Sequence, residues 1–542
     1  LCCLLNFSIL VFVHSHESTS PKRIYTVDLS VERQAEGCFG RYYRSKSSIH
    51  RMRNVMNKYR RRYRNSKHRV GRRRDAEKFD ERIASMRRVS FGPAGKNVEQ
   101  ESPINEYLYQ GDILLSEDQA ESIFNETISP SNSRVRRQAY TSKSSRWDVS
   151  RPIYVEIFNV SKSTANMIRD SLEFWQNETC VNFVESTTNT PRLRFIKGSG
   201  CWSLVGKSSV VSVQDVSIGA GCEYYRTICH EIGHALGLFH HQARPDRDNY
   251  VTIVADNIKN QFLDQYNKQT NKTSDSYGVG YDVGSVMHYK QREFAKSPNL
   301  ITVLAKTNGY QNSLASNRWP SFADVKIVNA HLCSAKCTNV LTCENYGYPD
   351  PNNCDQCKCP SSFTGRTCGR RHPGNGLKAW KPECGADLVA TNEWTGMNIT
   401  VGESLSIVYK NINNCFFVVR SSASCFRSRD IRLRTFKFQL STCKLCAALL
   451  HWLNKLIVSL ESPPGRTIDV WMTRVPSSVC TDGCETQGMR VTTMSTEATG
   501  ATYCCGTADP RQLTTTNETL VIELYSYQGI SDAWVFYRLT PQ

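Results

Sequence analysis

The sequence predicts an α+β domain over residues 138–333, a small disulfide-held module over 334–370 and an all-β sandwich over 384–538. Three observations carry this. "ANMIRDSLEFWQNETC" places Ala165, Ile168, Leu172 and Trp175 at helical spacing, and "CVNFVE", "RLRFI" and "SVVSVQDV" then alternate or cluster β-branched residues as strands do. After Cys333, six cysteines fall close together, too dense for a core of their own and in need of a disulfide framework. Alternating segments such as "TLVIELYS" recur near the end. A chain of 542 residues accommodates three or four domains.

Taken in order, the chain opens on "LCCLLNFSILVFVHS", an apolar run too short to span a bilayer comfortably. It reads as the hydrophobic part of a secretory signal over residues 1–15, shortened at its start. No other stretch is long and apolar enough to span, so no transmembrane segment is expected. Residues 16–137 read as a basic, largely disordered propeptide. Within it, residues 50 to 74 hold twelve Lys or Arg and no acid. The net charge of +18 thus owes much to a segment upstream of "RVRR", where Arg134, Arg136 and Arg137 form a dibasic-type processing site for a proprotein convertase. From Gln138 onward the charge is about +8, roughly +7 of it between Arg420 and Leu460. With no interleaved nucleic-acid fold, that distribution argues against a nucleic-acid partner. Twenty-three cysteines and sequons at Asn125, Asn159, Asn177, Asn271, Asn398 and Asn517 agree with a secreted, oxidised and glycosylated chain.

"TICHEIGHALGLFHHQARPDRDNY" concentrates a third of the chain's 12 histidines. Tyr225, Ile228, Ile232 and Ala235 mark one helical face. His230 and His234 lie on the opposite face, one turn apart, with both imidazoles aimed the same way. That suits two ligands of a tetrahedral Zn2+. Glu231 is close enough to reach a metal-bound water without being a ligand. Gly237 breaks the helix and lets the chain turn His240 back to the same ion. A lone histidine is more often a core or surface residue, and H-E-x-x-H alone is a short pattern. H-E-x-x-H-x-x-G-x-x-H is far more specific, and with a later methionine turn it is the metzincin signature. "YDVGSVMHY" supplies that turn, with Met287 beneath the ion and Tyr289 within its reach.

"HEIGHALGLFHHQARPDRD" followed by "SVMHY" resembles the astacin family of zinc endopeptidases over about Trp147 to Cys333. The resemblance implies one Zn2+ held by His230, His234 and His240. It implies Glu231 as general base and Tyr289 as an additional ligand that swings off to stabilise the oxyanion. Two positions depart from the family: Leu238 stands where phenylalanine is usual, and His241 where glutamate supports the buried N-terminus of the mature enzyme. "YLYQGDILLSEDQ" resembles the pro-segment motif F-x-G-D with Tyr109 for phenylalanine, which implies Asp112 as a zinc-binding zymogen switch. Family pattern pairs Cys180 with Cys333 and Cys201 with Cys222, and leaves Cys229 as a small buried residue.

The ending "CKCPSSFTGRTC" resembles an EGF-like module, implying the pairs Cys337–Cys354, Cys343–Cys357 and Cys359–Cys368, which spacing alone does not select. From Cys384 the chain resembles a CUB domain, an antiparallel sandwich used for binding, interrupted by an unexplained insertion at 421–460. Module order resembles nematode astacins that act on cuticle or eggshell proteins. The expectation is therefore a secreted zinc endopeptidase made as a zymogen, acting on extracellular proteins, with modules that bind matrix or other proteins. The competing expectation is a catalytically silent EGF–CUB binding protein, against which the intact histidine set and Glu231 argue.

Overall fold

A computed structural model describes residues 108–128, 138–270, 272–338, 341–375, 385–402, 408–421, 466–476, 482–506, 512–528 and 530–541. The expected signal at 1–15, the expected propeptide up to 107, the expected processing site at Arg134, Arg136 and Arg137, the sequon Asn271 and the insertion beyond Ser421 lie outside them. Among the described residues no helix is long and apolar enough to cross a membrane. The described residues form two compact units, the first holding those up to 306 with 314–341 and 349–355, the second those of 307–313, 342–348 and 356 onward. The cysteine-rich stretch is divided between them rather than forming a unit by itself.

The strands of the first unit include β1 (Ile113–Leu114), β2 (Ala139–Tyr140), β3 (Ile153–Phe158), β4 (Phe183–Glu185), β5 (Arg192–Ile196), β6 (Cys201–Leu204) and β7 (Val213–Ile218). Of these, all but β2 form one sheet, ordered β1-β6-β7-β5-β3-β4. β7, β5, β3 and β4 run parallel, whereas β6 is antiparallel to β7 and accepts β1 in parallel on its outer edge. The helices are α1 (Glu117–Ile128), α2 (Lys162–Glu178), α3 (Tyr225–Ala235) and α4 (Phe322–Leu332). Caps set where they begin. Ser161 accepts the Thr164 amide at the start of α2, and Ser321 and Asp324 form a reciprocal capping box on α4. One core joins Ile168 and Trp175 of α2, Leu193 and Phe195 of β5, and Ile228 and Ile232 of α3.

One expectation changes here. Residues 108–128 fall in the stretch whose composition reads as largely disordered, yet they form β1 and α1. The reason is apolar: Leu108, Ile113 and Leu114 are fully buried and pack into a cluster with Trp202, Leu204 and Phe239. The histidine face of α3 is buried as well as its apolar stripe, with His230 at 8% and His234 at 0%.

The second unit carries a β-sandwich. Its five-stranded sheet runs Ala386–Val389, Val408–Arg420, Thr519–Gln528, Gln487–Thr492, Ala501–Tyr503. The four-stranded sheet runs Thr395–Gly402, Ile530–Leu539, Ile468–Arg474, Gln512–Thr514. The pairing is antiparallel except for Ala386–Val389, which lies parallel to Val408–Arg420. The intervening strand Thr395–Gly402 belongs to the other sheet, so the chain crosses over and returns in the same direction.

Candidate metal centre

α3 brings His230 and His234 to the cleft one turn apart, their ring centroids 4.5 Å from each other. The helix ends at Ala235, and Gly237 turns the chain at φ +109°, where a Cβ would stand 2.9 Å from His331 Nε2. That turn returns His240, whose ring centroid lies 5.1 Å from His230 and 4.9 Å from His234. Trp147 Nε1 donates to Ala235 O at 2.7 Å and fixes the helix end.

The outer nitrogens decide the tautomers. His230 Nδ1 donates to Val286 O at 2.8 Å and His234 Nδ1 to Leu238 O at 2.7 Å. Carbonyls only accept, so both protons sit on Nδ1 and both Nε2 atoms present lone pairs. His240 Nδ1 meets Gln110 Oε1 at 3.0 Å, and the Gln110 amide donates to Asn267 O at 3.0 Å, which points its oxygen toward the imidazole. The third histidine is thereby set like the other two.

Three Nε2 lone pairs thus converge on a carboxylate. Asp112 Oδ2 lies 3.2 Å from His230 Nε2 and 3.0 Å from His240 Nε2, and Oδ1 lies 3.6 Å from His234 Nε2. His230 Nε2 and His240 Nε2 are 3.3 Å apart. With the protons held on Nδ1, these are contacts between lone pairs and want a cation between them. The separation equals the edge, about 3.3 Å, of a tetrahedron with bonds near 2.05 Å. His234 Nε2 and Asp112 Oδ1 are buried and take no hydrogen bond. Among the described residues this is the group of histidine, cysteine and acidic side chains placed to hold an ion, and the donor set fits zinc.

The surroundings complete the cleft, lined among others by Glu231, Tyr289, Arg226 and Phe294. Glu231 is buried beside its neighbouring ligand. Tyr289 donates its phenol to Gln110 O at 2.5 Å and packs on His240 at 4.7 Å. Met287 lies under α3, its sulfur 2.7 Å from where a Gly233 Cβ would stand. The methionine turn is anchored by Asp324, which accepts from Ser285 Oγ at 2.5 Å and Val286 N at 3.1 Å. Asp112 is seated through its carbonyl, which accepts Ser203 N at 3.0 Å from β6.

Among the described residues His241 makes no salt bridge. It is fully buried, accepts Asp282 N through Nε2 at 2.9 Å and meets the Tyr281 ring edge-on at 4.7 Å. Burial, then the nearby Arg244, hold it well below the usual imidazole range, so it is neutral. Leu238 is fully buried. Cys229 is a free thiol, buried and pushed up to about 12 by desolvation, hence unreactive. Disulfides join Cys180–Cys333, Cys201–Cys222, Cys337–Cys354, Cys343–Cys357 and Cys359–Cys368, with a further bridge Cys484–Cys504 that sequence reasoning did not name. Asn159, Asn177 and Asn398 are exposed, whereas Asn517 donates its amide to Met494 O at 2.7 Å. Asn125 lies on α1, its side chain outside the described residues. Sequence reasoning also passed over Gln110, Asp324 and His331. Only Asp324 left a signal, as the fourth residue of the capping pattern "SFAD" ahead of an apolar run.

The peptidase family Astacin matches residues 139–333. Zinc metalloproteinase nas-28 of Caenorhabditis elegans is 31% identical over 430 residues, 77% of this chain and 77% of that protein. The chain belongs to the astacin family. Zinc metalloproteinase nas-31 of the same nematode is 37% identical over 333 residues, 60% of this astacin and 52% of nas-31. This astacin therefore spans about half the length of that relative. Among solved structures, High choriolytic enzyme 1, a hatching enzyme zinc-protease from the medaka Oryzias latipes, is 28% identical with a TM-score of 0.32, covering 35% of this chain and 95% of that one. Zinc, for which the two nematode relatives are named, is the ion that the three histidines would hold.

Proposed function

We propose that this astacin is a secreted zinc endopeptidase, made as a zymogen, that hydrolyses extracellular proteins. One observation carries the reading: three imidazole lone pairs converge beside Glu231 and Tyr289, with the Asp112 carboxylate in the fourth direction. Zinc, when bound by the three histidines, supplies a Lewis acid that polarises a carbonyl and acidifies water. Glu231 takes the proton of the attacking water and hands it to the leaving amine. Tyr289 donates a hydrogen bond to the carbonyl oxygen as negative charge builds there. Burial, then the Asp112 carboxylate, push its phenol well above the usual range, so it keeps the proton it must donate.

The same residues account for latency. Asp112 takes the position that water needs, and the Gln110 carbonyl takes the Tyr289 phenol. A proprotein convertase cutting after Arg137 would release both. The cysteine-rich stretch and the sandwich are read as EGF-like and CUB-like modules that hold the enzyme near matrix, cuticle or eggshell proteins. The test is peptide hydrolysis by the chain cut after Arg137, abolished by a chelator and restored by zinc, and absent from the uncut chain. An uncut Asp112→Ala chain should be active or digest itself. A cut, folded, zinc-loaded chain that hydrolyses no peptide would refute the enzyme, and a silent uncut Asp112→Ala chain would refute the switch.

A further inference from the structure

The four-stranded sheet of the sandwich turns an aromatic face outward. Along Ile530–Leu539, Ala533, Val535, Tyr537 and Leu539 are buried, so Trp534 and Phe536 point the other way. Trp534 is 45% exposed and Trp471 is 42% exposed. Trp471 meets Phe536 and Trp394 at 6.0 and 6.1 Å, and Arg538 covers Trp394 at 4.5 Å. Exposed aromatic surface of this kind marks a place where something binds.

The edge strand beside it supplies the occupant. In Thr395–Gly402, Asn398 is the direct cross-strand partner of Trp534. Asn398 and Thr400 are exposed and the intervening Ile399 is buried, so both polar residues share Trp534's face. Paired side chains have Cβ atoms about 5 Å apart. "Asn398-Ile399-Thr400" is an N-x-T acceptor. We propose that Asn398 carries an N-linked glycan whose first sugar lies flat on the Trp534 ring and covers the aromatic face. The proposal rests on the secretion reading. In the attachment step the Asn398 amide nitrogen displaces the pyrophosphate of a lipid-linked oligosaccharide, forming an N–C1 bond and losing one proton. The apolar C–H face of the sugar then replaces water on the indole, and the tether supplies an effective concentration that a free saccharide lacks. The sugar also blocks further pairing along this edge strand. Asn517 stands in contrast, its amide nitrogen committed to Met494 O.

The test uses the full chain carrying Glu231→Gln, to prevent self-digestion, secreted from a eukaryotic host. Mass spectrometry of the Asn398 peptide should show sugar. Asn398→Gln should lower the sandwich's melting midpoint by about 3 °C, the scale on which a domain responds to one such contact. In a Trp534→Ala background the same change should cost nothing, while Trp534→Tyr should preserve the coupling. Acrylamide should quench tryptophan fluorescence more strongly once the sugar is gone. A secreted chain with Asn398 bare would overturn the proposal alone, and a chain that stays in the host cytosol would overturn the secretion reading with it. Additive effects of Asn398→Gln and Trp534→Ala would also overturn the proposal.

Discussion

At the residue scale the centre is a problem of placing protons. The backbone carbonyls of Val286 and Leu238 hold the protons of His230 and His234 on Nδ1, and Gln110 does the same for His240. Two of these restraints lie within residues 139–333, which match the family, and one in the segment upstream of them. Gln110→Met in the uncut chain should therefore release zinc to a chelator faster, by about 10-fold, the lower end of what outer-shell partners contribute. An unchanged release rate would make Gln110 a packing residue only. Glu231 tests the other half of the chemistry. Glu231→Gln should keep stoichiometric zinc, because the three ligands stay, while turnover of the cut chain falls by about 100-fold or more. Metal analysis with peptide hydrolysis checks both, and loss of zinc from a folded variant would count against the role.

At the element scale the methionine turn and α4 act together. Asp324 caps α4 and holds the turn through Ser285 and Val286. Burial, then the nearby Asp282, push its carboxyl up to about 6. In the unfolded chain an aspartate titrates near 3.9, so the folded state binds this proton more tightly. The contribution of Asp324 is greatest below pH 4, declines as pH rises from about 4 to about 6, and is constant above. Replacement by asparagine removes that dependence. The stability gap between parent and Asp324→Asn should shrink from pH 4 to pH 7 by on the order of 2 kcal/mol. Urea unfolding at the two pH values measures it, and a constant gap would exclude the shift.

At the scale of the whole molecule, the first unit is closed by the Cys180–Cys333 bridge, which spans 153 residues from the end of α2 to the end of α4. Such a bridge acts mainly by restricting the unfolded chain. Changing both cysteines to alanine should cost about 2–5 kcal/mol in denaturant unfolding while leaving the zinc ligands in place. A loss below about 1 kcal/mol would show that the core alone closes the unit, against this expectation for long loops. The proposed pro-segment works at the same scale. Its Ile113 and Leu114 extend the sheet and, with Leu108, bury apolar surface, so the proposed latency would have a packing component beside the carboxylate of Asp112.

What the sequence determined by itself is whatever repeats at short range. The spacing of His230, His234 and Glu231 on one helix, the glycine that ends it, and the crowding of cysteines after Cys333 all lie within a few turns of chain. Local geometry links such residues, so a linear reading reaches them. The tertiary structure decided what distant segments do to one another. It placed Met287 under Gly233, His331 beneath Gly237 and Gln110 on His240, a separation of 130 residues in the last case. It gave His241 a backbone partner, Asp282, and a tyrosine in place of a charge. It also set one sandwich strand parallel, because a crossover between sheets leaves no periodicity to read. Those contacts arise only when separate elements share one core, where close packing rather than spacing selects the neighbour.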